Sequence, residues 1–336
     1  MSEVDFSVVI ATYNRSESLR DCLYSLATQS FSPKRFEIIV VNDGSTDSTS
    51  SVLNEFARYY KASFVRIEQA NQGVSAARNE GIAVARRRII VFTDDDCILP
   101  PDWLDRLASL WEKAGEGIVG IGGPLNTVTS GTPTFTSRFI NYLDEFNYIP
   151  VLTDWYIKPV HVSCLTGVKI IPYLRTANAS FRKKCLEEIG GFDASFKQPG
   201  GEDPDLCYRL MKCEYSFCFD KYLVANHHSR TSLKAYFKSI HNYAIGDMRK
   251  SIKRNRYPAA IARCYRFILL QKFVSFVVNL LMLPCNCVRF VLSAKMEYIS
   301  FQFLICVAKL YALGVSLGCK FRATLGQDNN PSSLRW

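Results

Sequence analysis

Arg88-Ile89-Ile90-Val91-Phe92-Thr93-Asp94-Asp95-Asp96 reads as a strong strand that runs directly into three carboxylates. The elements on either side repeat the theme. Upstream, Val74–Ala85 has the composition of a small-residue helix, and Phe64–Ile67 is a weaker strand. Val52, Leu53, Phe56 and Tyr60 fall at helical spacing, and Phe36–Val41 is a buried strand broken by Asn42-Asp43-Gly44. Leu19, Cys22, Leu23 and Leu26 share one helical face behind a first strand at Phe6–Ile10. Downstream, Leu104, Leu107, Ala108 and Trp111 mark a helix and Ile118–Ile121 a strand. This alternation predicts an α/β fold, a mostly parallel Rossmann-like sheet flanked by helices. Such sheets bind ligands at the carboxyl ends of their strands. Thr12 to Asn14, Asn42 to Ser45 and Asp94 to Asp96 occupy those ends.

Three adjacent carboxylates repel one another and resist unpaired burial. A hard divalent cation relieves that cost, and Mg²⁺ commonly takes one or two carboxylates plus substrate phosphates. Side chains of an extended segment alternate, which lets Asp94 and Asp96 share a face. Asp43 stands at a strand's carboxyl edge, where it can accept hydrogen bonds from a base or ribose. Gly44 to Asp47 need no role beyond a turn and a helix start. Arg78, in Gln72-Gly73-Val74-Ser75-Ala76-Ala77-Arg78-Asn79, is either an exposed helix cation or a phosphate or base contact.

A second cluster follows in 176–230. Gly200-Gly201-Glu202-Asp203-Pro204-Asp205 sets three carboxylates beside a double glycine. Arg209 lies at i+4 from Asp205, which suits a helical ion pair and makes Asp205 structural. Asp203 is then the better general base, with a dipole-favoured helix N-terminus as the plainer reading of Glu202-Asp203. His227-His228 is an adjacent pair in a chain with four histidines, and a metal or diphosphate ligand is plausible there.

Ala11-Thr12-Tyr13-Asn14-Arg15, Asn42 to Asp47, Gly73 to Asn79, Asp94-Asp95-Asp96, Gly190-Gly191-Phe192-Asp193, Glu202-Asp203 and His227 follow in this order. In that series the chain resembles the family 2 glycosyltransferases over about residues 4–250. The resemblance implies the GT-A fold and an inverting, metal-dependent transfer from a nucleotide sugar, commonly a UDP-sugar. Carried over by residue, it implies nucleotide-sugar contacts at Thr12, Tyr13, Asn14, Arg15, Asp43, Arg78, Asp94, Asp95 and Asn178. It implies metal binding (Mn²⁺ or Mg²⁺) at Asp94, Asp96 and His227, with His228 as a rival. It makes Asp203 the base and Glu202 its neighbour at the acceptor, a glycan or lipid-linked glycan. The Ser229-Arg230 stretch lacks a further histidine that many relatives carry.

The domain division expected from these motifs is a catalytic part over 1–245, split near 120 into a nucleotide-binding and an acceptor half. A basic helical region over 246–325 and a polar tail over 326–336 follow. The 336 residues carry a net charge of +10. From Arg249 to Trp336 there are 14 basic and 2 acidic residues, so the excess lies in the last quarter. It adjoins the apolar stretches Phe273–Leu292 and Ile299–Phe321, each about 20 residues and interrupted by Pro284 and Arg289 or Lys309 and Gly314. Basic clusters beside apolar segments point to an anionic membrane surface, here contacted through 249–321, on its cytoplasmic face. No cleavable signal sequence is read at Met1–Ala11. Twelve scattered cysteines read as reduced thiols, and Cys285-Asn286-Cys287 has no second pair to make a zinc site. The basic run matches no nucleic-acid module, and no GxGxxG follows a strand as a dinucleotide-binding dehydrogenase requires. A nucleotidyltransferase lacks its glycine-rich phosphate loop at Thr12 to Arg15, and a non-catalytic binding module has no need of the intact Asp94, Asp96, Asp203 and His227.

Overall fold

The computed structural model describes residues 4–128 and 173–228, with isolated helical positions at 135, 138, 234, 238, 241, 242, 306, 307, 310, 311 and 314. The chain divides into two compact units. The first comprises Met1–Val128, Ile157–Gln198 and Glu202–His228; the second comprises Thr129–Tyr156, Pro199–Gly201 and Ser229–Trp336. The last stretch of the first unit closes at His228, the end of its final described strand.

In chain order the first unit contains β1 (Phe6–Thr12), α1 (Ser16–Ala27), β2 (Phe36–Asn42), α2 (Thr49–Tyr59), β3 (Phe64–Glu68) and α3 (Val74–Val84). There follow β4 (Ile89–Thr93), β5 (Cys97–Ile98), α4 (Trp103–Lys113), β6 (Ile118–Gly122) and β7 (Leu125–Val128). After the undescribed segment come β8 (Asn178–Arg182), α5 (Lys183–Glu188), α6 (Glu202–Lys212), β9 (Ser216–Phe219) and β10 (Ala225–His228). Seven strands form the main sheet in the order β3-β2-β1-β4-β8-β6-β9. Only β8 runs against the others. A second sheet of three strands has the order β5-β10-β7.

Burial explains the strengths of the sequence signals. Every residue of β2 and β4 is buried, so helices can cover both faces of those strands. The edge strand β3 is half exposed, which is why Phe64–Ile67 reads weakly. Leu19, Cys22, Leu23 and Leu26 of α1 are fully buried, and each such leucine contributes about 1.5–3 kcal/mol by leaving water. The small-residue character of α3 also has a cause. A Cβ at Gly81 would lie 2.3 Å from Val9 Cγ1, so a larger residue would push the helix off β1.

One buried carboxylate lies at the opposite end of the sheet. Glu37 accepts hydrogen bonds from Ser7 Oγ and the Arg86 amide, both at 2.7 Å, and it ties strand starts to the chain entering β4. All seven described cysteines are free, and burial raises the thiols of Cys22, Cys97 and Cys207. Among the described residues no helix is long and apolar enough to cross a membrane. The stretch 273–292 lies outside the described residues; of 299–321, the five described positions are helical.

Candidate active site

The strands β1, β2 and β4 end at one edge of the main sheet, and the chain leaves β4 as Asp94-Asp95-Asp96. The three carboxylates take separate partners. Asp95 is buried and accepts from Thr12 Oγ1 at 2.7 Å and from an Arg15 Nη at 3.3 Å. Asp96 pairs with Arg15 and lies 3.2 Å from His227 Nε2. Asp94 accepts from Arg78 Nη2 at 3.0 Å. Burial pushes Asp95 up to about 7 against the pull of Arg15. Burial also works to raise Asp96, but the hydrogen bond and charge of His227, with Arg15, outweigh it and hold this carboxyl well below the ordinary range.

Distant segments supply the rest of the cluster. In the small sheet β10 runs antiparallel to β5, setting His227 opposite Cys97, and the His228 amide donates to Asp96 O at 2.9 Å. Ligand atoms of Asp94, Asp96 and His227 all lie within 4.8 Å of one another. One divalent ion at about 2.1–2.3 Å from each ligand needs a similar spread, so two carboxylates and an imidazole here fit such an ion. His228 is outside this group among the described residues; adjacent strand residues face opposite ways.

Glu202 and Asp203 open α6 after Gly200 and Gly201, which hold φ of 127° and 95°. Arg78 is 5% exposed and joins them to β4. Its guanidinium lies 3.0 Å from Asp94, 3.2 Å from Glu202 and 3.5 Å from Asp203, over the Phe192 ring at 5.4 Å. Arg78 is thus a buried bridge and not the exposed helix cation considered from sequence. Asp203 also accepts from Thr176, from the amide to Oδ2 at 3.1 Å and from the hydroxyl to Oδ1 at 2.7 Å. Burial raises Asp203 to about 7, with Glu202 adding to the rise and Arg78 and Thr176 opposing it. Asp205 pairs with Arg209 at 2.8 Å, as the i+4 spacing indicates.

The adjacent Asn79 locks the Gly190-Gly191-Phe192-Asp193 motif in place. Its side chain donates to Phe192 O at 2.8 Å and accepts from the Phe192 amide at 2.7 Å. Gly191 has φ of 67°, and a Cβ there would meet Asn79 Oδ1 at 2.4 Å. A side chain at 191 would break this clamp.

Several residues read as nucleotide contacts have structural partners. Asp43 is buried and accepts from Gln69 Nε2, the Gln72 amide and the Gly73 amide at 2.6–2.8 Å, which organises the turn into α3. Asn14, with φ of 53°, accepts from the Thr46 amide at 2.7 Å and donates its own amide to Ser45 Oγ at 2.9 Å. These bonds stitch the loops after β1 and β2 together. Tyr13 between them is exposed. Asn178 is 1% exposed, donating to Pro124 O and Leu223 O and accepting from Trp103 Nε1. These bonds tie the start of β8 to the chain at Pro124, Leu223 and Trp103. Thr176 is the contributor that sequence reading misses, since a threonine before a strand carries no signal of its own.

The model of glycosyl transferase family 2 matches residues 7–189, more than half of the chain, and the chain belongs to that family. A glycosyltransferase, AglE, of Haloferax volcanii is 27% identical over 224 residues, 67% of each chain. A validoxylamine A glucosyltransferase of Streptomyces hygroscopicus subsp. limoneus is 29% identical over 220 residues, and a chondroitin synthase of Escherichia coli is 27% identical over 225. Those alignments span 47% and 32% of the two relatives' own lengths. Among solved structures, a Pyrobaculum calidifontis mannosyltransferase in complex with GDP-Man and Mn²⁺ is similar at a TM-score of 0.60 and 17% identity, over 93% of this chain and 86% of that one. GalNAc-T7 with UDP, GalNAc and Mn²⁺ is similar at 0.52 and 15%, over 72% and 47%. The fold is GT-A, a mostly parallel α/β sheet flanked by helices.

Proposed function

We propose that the chain is an inverting, metal-assisted glycosyltransferase that moves a sugar from a nucleotide diphosphate donor, a UDP-sugar first, to a hydroxyl of a glycan or glycolipid. One observation carries this reading. A single buried guanidinium, that of Arg78, touches both Asp94 of the three-residue ligand group and Asp203. A place for a donor diphosphate and a place for proton removal are therefore side by side.

Asp94, Asp96 and His227 would hold the ion, which supplies positive charge that stabilises a leaving diphosphate. Asp203 takes the proton of the acceptor hydroxyl. The freed oxygen forms its bond to the anomeric carbon as the bond to the diphosphate breaks, with one inversion. A carboxyl raised toward neutral pH is matched to that task, strong enough to accept a proton and still ionised at working pH. Arg78 keeps Glu202 and Asp203 compatible in one buried place, and Thr12, Arg15 and Asp95 brace the strand ends beneath the donor.

The same reading sets the enzyme on the cytoplasmic face of a membrane, making cell-surface polysaccharide or glycolipid. The basic residues of 249–266 and the apolar stretches support it. Val307, Leu310 and Tyr311 add exposed apolar positions at helical spacing. Deleting residues after 250 is expected to abolish partition onto vesicles of anionic lipid; unchanged partition would remove the membrane assignment.

Turnover of a panel of UDP- and GDP-sugars tests the catalytic reading. Activity should appear with Mn²⁺, disappear with EDTA and return on adding Mn²⁺. Undiminished turnover in EDTA would overturn the metal role.

A further inference from the structure

We propose that Thr176 is a positioning residue that holds the Asp203 carboxylate in one orientation for proton transfer. This rests on the assignment of Asp203 as the base.

Thr176 is brought to the site by β8, the one described strand of the main sheet that runs against its neighbours. The Asn178 amide closes a turn onto Arg175 O at 3.0 Å, and Asn178 then opens β8 opposite Thr93. Because β8 is antiparallel to β4, its first residues lie at the edge where β4 ends and Asp94 follows. A parallel strand in that place would deliver its last residues instead. Thr176 is 1% exposed, so its two donors have little access to water and face Asp203. Each carboxylate oxygen receives one of them, the amide at 3.1 Å and the hydroxyl at 2.7 Å. A carboxylate held on both oxygens loses rotation about its terminal torsion, and a base fixed in this way reaches an acceptor hydroxyl at one angle. Its hydrogen bonds come from across the site, although a carboxylate in the first turn of α6 is well placed to cap its own helix. The other charged or titratable groups beside Asp203 are Arg78 at 3.5 Å, Glu202 next to it in the chain and Cys207 on α6; Asp94 is bound to the far side of Arg78, and Asp205 and Arg209 act on Cys207.

The test compares Thr176→Val, Thr176→Ser and Asp203→Asn with the wild-type chain, using Mn²⁺ and the sugar nucleotide of the panel that turns over. T176V keeps the shape and the amide but loses the hydroxyl. It should lower kcat by about tenfold, leave KM for the donor within about twofold, and move the acid limb of kcat upward by about one pH unit. T176S should stay within about threefold of wild type. Should T176V fail to fold, Thr176→Ala against T176S carries the same comparison. Wild-type kcat and an unmoved acid limb in T176V, with Asp203→Asn inactive, would overturn the positioning role and leave the base assignment standing. Full turnover by Asp203→Asn would overturn both.

A second arm needs no donor. A double-mutant cycle of T176V and D203N, read by urea unfolding, should give a larger coupling at about pH 8.5 than at about pH 5.5, because the hydroxyl favours the ionised carboxylate. Equal coupling at the two pH values would mark a purely structural bond and overturn the proposal.

Discussion

Residues 6–98 and residues 173–228 supply the two sides of one acidic cluster by different routes. The first side is local. β1, β2 and β4 are neighbouring parallel strands, and each delivers its terminal polar residues to the same edge as soon as it ends. The second side is assembled from unrelated elements: a turn before the antiparallel β8, the first residues of α6, and a strand of the small sheet. Arg78, Asn79 and the β10–β5 pairing hold the two together. The two sides share one hydrophobic core, so the chemistry and the packing both need the pair of them.

The largest expected effect lies on the second side. Asp203→Asn should lower kcat by about 10²- to 10⁴-fold, the range of a lost general base, with nucleotide binding near wild type. Retained turnover would remove the base from α6. Arg78→Met strikes the link itself and leaves Asp94, Glu202 and Asp203 without their shared cation. It should cost about 3–5 kcal/mol in urea unfolding. A loss under about 1 kcal/mol would show that the two sides do not depend on this bridge.

pH tests Asp203 next. Asp203, raised to about 7, must be ionised to accept a proton, so activity should fall about tenfold per pH unit below 7 and level off above it. The same group acts oppositely on stability. Its folded pKa exceeds the unfolded value of about 3.9, so the folded chain holds the proton more tightly. Its contribution to stability is greatest in acid and declines as pH rises from about 4 to 7. An acid limb near 4 in the activity profile would contradict this environment.

Asn79→Ala should cost about 1–3 kcal/mol in urea unfolding by removing both clamps on Phe192. The smallest effect serves as a control: Arg20→Ala breaks an exposed pair with Glu55 and should change stability by less than about 0.5 kcal/mol.

The alternation of elements, the strand ends and the order of motifs were legible because they depend on short-range periodicity and on residue types needed nearby. Asp94 and Asp96 could be assigned to one face, and Asp205 to Arg209, from spacing alone. The roles of Arg78, Asn178 and Asp43 were not. Arg78's place in a helix is compatible with an exposed position or a ligand contact, and the hydrogen-bond partners of Asn178 and Asp43 come from segments that packing brings together. Thr176 had no visible signal, because its partner Asp203 is joined to it by a turn, an antiparallel strand and a helix start.

The sequence by itself determined an α/β sheet with carboxylates at its strand ends and a basic, apolar-flanked last quarter. Backbone periodicity and charge act within a few residues, and those are written along the chain. The tertiary structure alone decided that β8 runs backwards, that the His227 side chain rather than that of His228 meets the Asp96 carboxylate, and that Arg78 joins Asp94 to Glu202 and Asp203. Those outcomes depend on strand direction, register and helix packing between distant segments, and a shift of one residue in β10 would exchange the faces of His227 and His228.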